Sequence, residues 1–125
     1  MSELVEKELV YEIVGSAMAV LNEIGHGLRE KTYERAMCVE FAFRHISYSQ
    51  QKRYPVIYRG QKVDEFVPDL EVEDRVLVDT KTVDGIDDQH RGQVLNYLRI
   101  SERSVGVILN FKHRQLQWER LVMSR

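Results

Sequence analysis

The chain of 125 residues has one cysteine, Cys38, and that scarcity excludes an intramolecular disulfide framework or a thiolate metal cage. Cys38 lies among apolar residues of helical period, where a thiol is buried and inert. Runs of about 18 apolar residues are missing, so no stretch reads as a membrane-spanning helix. The opening, MSELVEKELVYE, is charged and has no apolar signal core. The expectation is a cytoplasmic protein with no membrane partner. Acidic residues are absent from the stretch between Glu40 and Asp64, which carries Arg44, Lys52, Arg53, Arg59 and Lys62. Tyr48, Tyr54 and Tyr58 are interleaved with these cations. Such a stretch can meet phosphates, and it is equally compatible with a solvated hairpin. Net charge is −2, so the overall charge does not by itself mark a polyanion binder. The apolar share is 43%, enough for a core. The length fits one domain, residues 1–125.

Periodicity gives the elements. Leu9, Ile13, Ala17, Val20, Leu21 and Ile24 recur at spacings of three and four, predicting an amphipathic helix over about 3–24. Gly25 and Gly27 stop it. A second helix is expected over about 30–44, with Tyr33, Met37 and Phe41 on its inner face. Strands are expected at 48–58, edged by Pro55, then at 62–72 after the turn signal Tyr58-Arg-Gly-Gln61, then at 76–82. Asp87 or Asp88 caps a third helix over about 88–101. Val105–Leu109 suits a buried strand, and 116–122 a last one in which Trp118 is taken as core. The order α-α-β-β-β-α-β-β describes an α/β fold of α+β type, a mixed central sheet flanked by helices.

The chemistry concentrates between Phe66 and Lys81. If Glu73-Asp74-Arg75 is a three-residue hairpin loop, Val72 faces Val76, Leu70 faces Val78 and Phe66 faces Thr82. On the other face Asp69 lies opposite Asp79, Glu71 opposite Leu77 and Val67 opposite Lys81. Strand side chains alternate, so Asp69, Asp79 and Lys81 share that face. Facing carboxylates repel and raise each other's pKa. A divalent cation, Mg²⁺ or Mn²⁺, resolves the repulsion, since carboxylate oxygens are hard ligands. Lys81 adds a positive charge that can orient water or stabilise charge on a phosphate. The same residues also fit an ordinary polar hairpin face.

Pro68-Asp69, nine residues, then Asp79-Thr80-Lys81 resembles the PD-(D/E)xK motif of that nuclease superfamily. Asp79 stands where many members carry Glu, which the pattern allows. Gly27-Leu-Arg-Glu30-Lys-Thr-Tyr33 reads GxxExxY at a helix start. Gln93-Val-Leu-Asn-Tyr97 reads QxxxY on the following helix, as in RecB-type members. The whole chain resembles the small GxxExxY proteins classed with that fold. The resemblance implies a restriction-endonuclease-like core with Asp69 and Asp79 as metal ligands and Glu30 completing the metal shell. It makes Lys81 the catalytic lysine and places Gln93 and Tyr97 along the site. It further implies a nuclease acting on nucleic acid, DNA ahead of RNA, with Mg²⁺ or Mn²⁺. Lys52 and Arg53 are the cations expected at the substrate. The alternative is a catalytically inactive module of the same fold for nucleic-acid binding or protein interaction. A domain this small grips little nucleic acid alone, which favours a homo-oligomer. Among the histidines, His26 and His90 are weaker candidates for the site, and His45 and His113 have no argued role.

Overall fold

The computed structural model describes residues 6–124. The first helix, α1 (Lys7–Ile24), follows the expected periodicity, and Leu9, Ile13, Ala17, Val20 and Leu21 are buried. Residues 3–5 of the expected helix lie outside the described residues. Ile24, expected on the inner face, is 40% exposed at the last residue of α1. Gly25 ends α1 with φ 84°, a left-handed geometry that costs glycine little, and its N–H returns to Leu21 O at 2.9 Å. The second helix, α2 (Glu30–Phe43), buries Tyr33, Met37, Cys38 and Phe41, as expected. Among the described residues no helix is long and apolar enough to cross a membrane.

Five strands, not three, precede the last helix. They are β1 (Tyr48–Gln50), β2 (Tyr54–Tyr58), β3 (Gln61–Phe66), β4 (Leu70–Val72) and β5 (Val76–Lys81). Then come α3 (Asp88–Ser101), β6 (Val105–Asn110) and β7 (Gln117–Val122). The expected strand at 48–58 breaks because Gln51 takes φ 58°, turning the chain between β1 and β2. The expected strand at 62–72 breaks before Pro68, which has no amide hydrogen to give a ladder. The products separate into two sheets. One has the order β1-β4-β5-β6-β7, and β2 pairs only with β3 in a two-stranded ribbon.

In the larger sheet β5 and β6 run parallel and the other pairs are antiparallel. A parallel pair needs a crossover, and α3 supplies it. Helices cover both faces. Against α1 and α2 lie Leu70, Val72, Val76, Val78, Val105, Val107, Leu109 and Phe111. Against α3 lie Leu77 and Ile108, packed on Val94 and Leu98. Each such side chain contributes roughly 1.5–3 kcal/mol of burial. Gly106 lets α3 come close, since a Cβ there would stand 2.8 Å from Val94 Cγ1. Trp118, expected in the core, is 40% exposed on the edge strand β7. The result is a mixed sheet flanked by helices, consistent with a restriction-endonuclease-like core.

Candidate functional site

Glu73, Asp74 and Arg75 make the three-residue loop that joins β4 to β5. Glu73 and Asp74 take φ 55° and 56°, and the Arg75 N–H bonds Val72 O at 2.9 Å. The loop sets the expected pairs Val72↔Val76, Glu71↔Leu77 and Leu70↔Val78. The register runs no further. Phe66 pairs with Tyr54 in the ribbon rather than facing Thr82, and Val67 does not pair with Lys81, because the ladder ends at Leu70. Asp69 therefore stands just past the ladder, and its carboxylate takes the place of a strand. Asp69 Oδ2 accepts the Thr80 amide at 2.9 Å and the Thr80 hydroxyl at 3.0 Å. The Asp69 carbonyl accepts the Gln51 amide at 3.1 Å.

Alternation along β5 turns Val76, Val78 and Thr80 to one face and Leu77, Asp79 and Lys81 to the other. Lys81 Nζ lies 3.2 Å from Asp79 Oδ2, and each side chain is only 15% exposed. The contact is an ion pair without hydrogen-bond alignment, so among the described residues Asp79 Oδ2 is buried with no hydrogen-bond donor directed at it. Burial and the neighbouring Asp69 push the Asp79 carboxyl up to about 7, against the pull of Lys81. Burial also raises Asp69, against the Thr80 amide, and the charge of Glu34 adds to the rise. Burial disfavours the Lys81 ammonium, but the carboxylates of Asp79, Glu30 and Asp69 outweigh it and hold the lysine above its ordinary value.

This pair makes stability depend on pH in a defined direction. In the unfolded chain an aspartate ionises near pH ~4. Between that value and about 7 the folded protein holds a proton that the unfolded chain releases. Stability contributed by Asp79 is complete below pH ~4 and is lost as pH rises through about 7. Asp79→Asn stays neutral throughout. In metal-free buffer its melting temperature should gain on wild type steadily from pH ~4 to ~7 and then level off. Parallel curves would contradict the burial and repulsion described.

The remaining candidates surround this centre at different distances. Gln93 Oε1 accepts from Lys81 Nζ at 3.4 Å, and Gln93 Nε2 donates to the Tyr97 hydroxyl at 2.9 Å. The Tyr97 ring stacks on Phe66 at 4.3 Å. Glu30 enters from the first turn of α2 and accepts the Thr82 amide at 3.3 Å, one residue past the lysine. Lys52 Nζ lies 3.7 Å from Glu71 Oε2, and Arg53 pairs with Glu65 at 2.9 Å. His90 completes a capping box with Asp87 at the start of α3, and the His26 ring contacts Lys112 O at 3.1 Å.

Two carboxylates near the site escape sequence reasoning. Glu34 is buried one helical turn after Glu30, and that i, i+4 spacing was the available signal. Burial alone would raise its pKa, but Gln50, Gln51 and Lys31 hold it below the ordinary value. Both glutamines donate to its Oε2 at 2.8 Å. Glu71 is fully buried and takes the Tyr54 hydroxyl together with Arg103 Nη2 at 3.0 Å. Its signal was a lone acid between the apolar Leu70 and Val72.

The donor set fits a divalent cation at Asp69 and Asp79. Burial raises both carboxyls, Asp69 raises Asp79 further, and one buried oxygen has no directed donor, a combination that a cation relieves. Among the described residues no three His, Cys, Asp or Glu side chains converge as a closed cage, so Glu30 stands apart from the two aspartates. A family model described as the PD-(D/E)XK nuclease superfamily matches residues 7–121. Neither a curated protein nor a solved structure matches the chain.

Proposed function

The chain belongs to the PD-(D/E)XK nuclease superfamily, and from that premise we propose that residues 1–125 form one domain that hydrolyses phosphodiester bonds of nucleic acid, DNA ahead of RNA. Members of the superfamily generally use divalent metal ions, and Mg²⁺ or Mn²⁺ is the cation proposed here. Gly27, Glu30 and Tyr33 assign the chain to the GxxExxY group, and the cytoplasm is its proposed location. The observation that carries the reading is the convergence of Asp69, Asp79 and Lys81 on one sheet end, with a buried Asp79 oxygen lacking a directed donor.

Asp69 and Asp79 hold the cation, which when bound supplies Lewis-acid stabilisation of the phosphate. Asp69 is fixed by Thr80, so its second oxygen is aimed rather than free to rotate. Lys81 faces the same centre as a charged donor. Gln93 holds the lysine from α3, and Tyr97 holds Gln93. Glu30 steadies the strand end at Thr82 and adjusts the charge around Lys81. Lys52 and Arg53 stand at the ribbon root, half and largely exposed, where phosphates can compete for them.

The test combines cleavage with metal binding. Labelled single- and double-stranded DNA and RNA are incubated with Mg²⁺, Mn²⁺ or EDTA. Wild type should cleave with metal only, and Asp79→Asn should not cleave. Mn²⁺ at about ten times its dissociation constant should add about 1.4 kcal/mol to wild type, a rise of roughly 4–6 °C in melting temperature. Asp79→Asn should show no rise. The open shell around the two aspartates also supports a second reading, a nucleic-acid-binding module without hydrolysis. Salt-sensitive binding with neither cleavage nor a metal response would select it.

A further inference from the structure

The β2–β3 ribbon carries apolar side chains that neither core uses. Every residue from Ile57 to Asp64 is exposed. Ile57, Tyr58 and Val63 are 55%, 64% and 60% exposed. The register shift beyond Val56 pairs Ile57 with Lys62 and leaves Val63 as the extra residue of a bulge, while Tyr58, next along β2, turns to the other face of the ribbon. Single exposed apolar residues are ordinary, but three gathered at the end of an arm call for an occupant.

The arm is held only at its root. The Tyr54 ring stacks on Phe66 at 5.2 Å, and Phe66 stacks on Tyr97 at 4.3 Å. The Tyr54 hydroxyl is bound by the buried Glu71. A lone two-stranded hairpin is marginal in water, so this anchoring gives the ribbon a fixed direction. The same stack leads through Tyr97 and Gln93 to Lys81. The root of the ribbon is thus linked to the carboxylate site.

Its chemistry points to one kind of partner. Lys52, Arg53, Arg59 and Lys62 lie in a stretch without an acid, which complements a phosphate backbone. Arg53 and Lys62 pair with Glu65. Arg59 instead lies 5.8 Å from the Tyr58 ring centroid and donates to its hydroxyl at 3.4 Å. A phenol face beside a guanidinium plane is a surface on which an unstacked base can lie. A base inside an intact duplex presents no such face.

We propose that Tyr58 and Arg59 at the ribbon tip are a stacking platform for unpaired bases, so that the protein takes a single strand or flap rather than intact duplex. The proposal rests on the nuclease reading for what happens at the carboxylates, but binding at the tip is measured apart from it.

Anisotropy of a fluorescein-labelled single strand, its blunt duplex and an abasic strand of equal length reads the tip in EDTA. Wild type should prefer the single strand over both. Tyr58→Ala should lose roughly five- to hundredfold in single-strand affinity. Ile57→Ser with Val63→Ser, away from the Tyr58 face, should lose little. Tyr58→Ala should lose nothing on the abasic strand. All three positions are exposed, so the variants should keep the wild-type melting temperature. Preference for the duplex, equal binding of the abasic strand, or single-strand binding unchanged in Tyr58→Ala would overturn the proposal, as would no binding of any of the three. Mn²⁺-dependent cleavage reads the carboxylates and anisotropy in EDTA reads the ribbon, so each can fail while the other stands.

Discussion

Lys81→Ala should lower single-turnover cleavage by about 10²–10³-fold, the usual cost of removing one aimed charge from a reacting phosphate. The lysine is 15% exposed, 3.2 Å from Asp79 Oδ2 and 3.4 Å from Gln93 Oε1. Three carboxylates keep it protonated against the effect of burial. At neutral pH it is therefore a donor and a positive charge, and in the proposed reaction its work would be to stabilise charge developing on the phosphate rather than to take a proton. Lys81→Arg keeps the charge but replaces a compact ammonium by a planar fork, and should recover only part of the rate. Both variants retain Asp69 and Asp79, so both should keep the melting-temperature rise on adding Mn²⁺. In Lys81→Ala that rise should need a higher pH, because the Asp79 carboxyl loses the neighbour that favours its ionised form. A Lys81→Ala rate within threefold of wild type would remove the lysine from the chemistry.

Tyr33→Ala should cost about 3–5 kcal/mol of stability, the range for truncating a buried aromatic ring. That loss corresponds to roughly 10–20 °C in melting temperature. The ring is fully buried and stacks on Phe111 at 4.3 Å with 4° between planes. Its hydroxyl donates to Gly25 O at 2.6 Å and accepts the Leu28 amide at 3.0 Å. The Gly27 amide reaches Phe111 O at 3.0 Å. Tyr33 thus closes the turn that starts α2 and ties it to the end of β6. Tyr33→Phe keeps the ring and drops both hydroxyl bonds, and should cost only about 1–2 kcal/mol. The turn also carries Glu30 to Thr82, so Tyr33→Phe should reduce cleavage more than its stability loss explains. Equal melting temperatures for Tyr33→Ala and wild type would show that the stack contributes little.

The hairpin and the placing of Asp69, Asp79 and Lys81 near one another were legible because their determinants are local. A three-residue loop sets the register, side chains alternate, and Pro68 ends the ladder so that Asp69 turns its carboxylate onto Thr80. Helix faces were legible for the same reason, as Tyr33, Met37 and Phe41 show. The ribbon was not. It starts at Gln51, where a non-glycine residue takes φ 58°, and nothing in Ser49-Gln50-Gln51-Lys52 announces that turn. Trp118 was misplaced because hydrophobicity does not tell an edge strand from a central one. Glu34 and Glu71 were passed over because their partners come from far along the chain. Gln51 reaches Glu34 across 17 residues, and Arg103 reaches Glu71 across 32.

The two roots of the ribbon are joined by the bond from the Gln51 amide to the Asp69 carbonyl. The chain leaves the main sheet at one of these residues and returns at the other. Everything between them is a closed excursion, and the five-stranded sheet carries its register without it. Length and composition of the exposed tip from residue 57 to residue 64 can drift, be grafted or be exchanged while the root residues Tyr54 and Phe66 and the residues Asp69, Asp79 and Lys81 keep their places. The scaffold therefore keeps the carboxylates and lysine apart from the ribbon tip, and under the proposed reading a change in the strand held would need no change at the carboxylates.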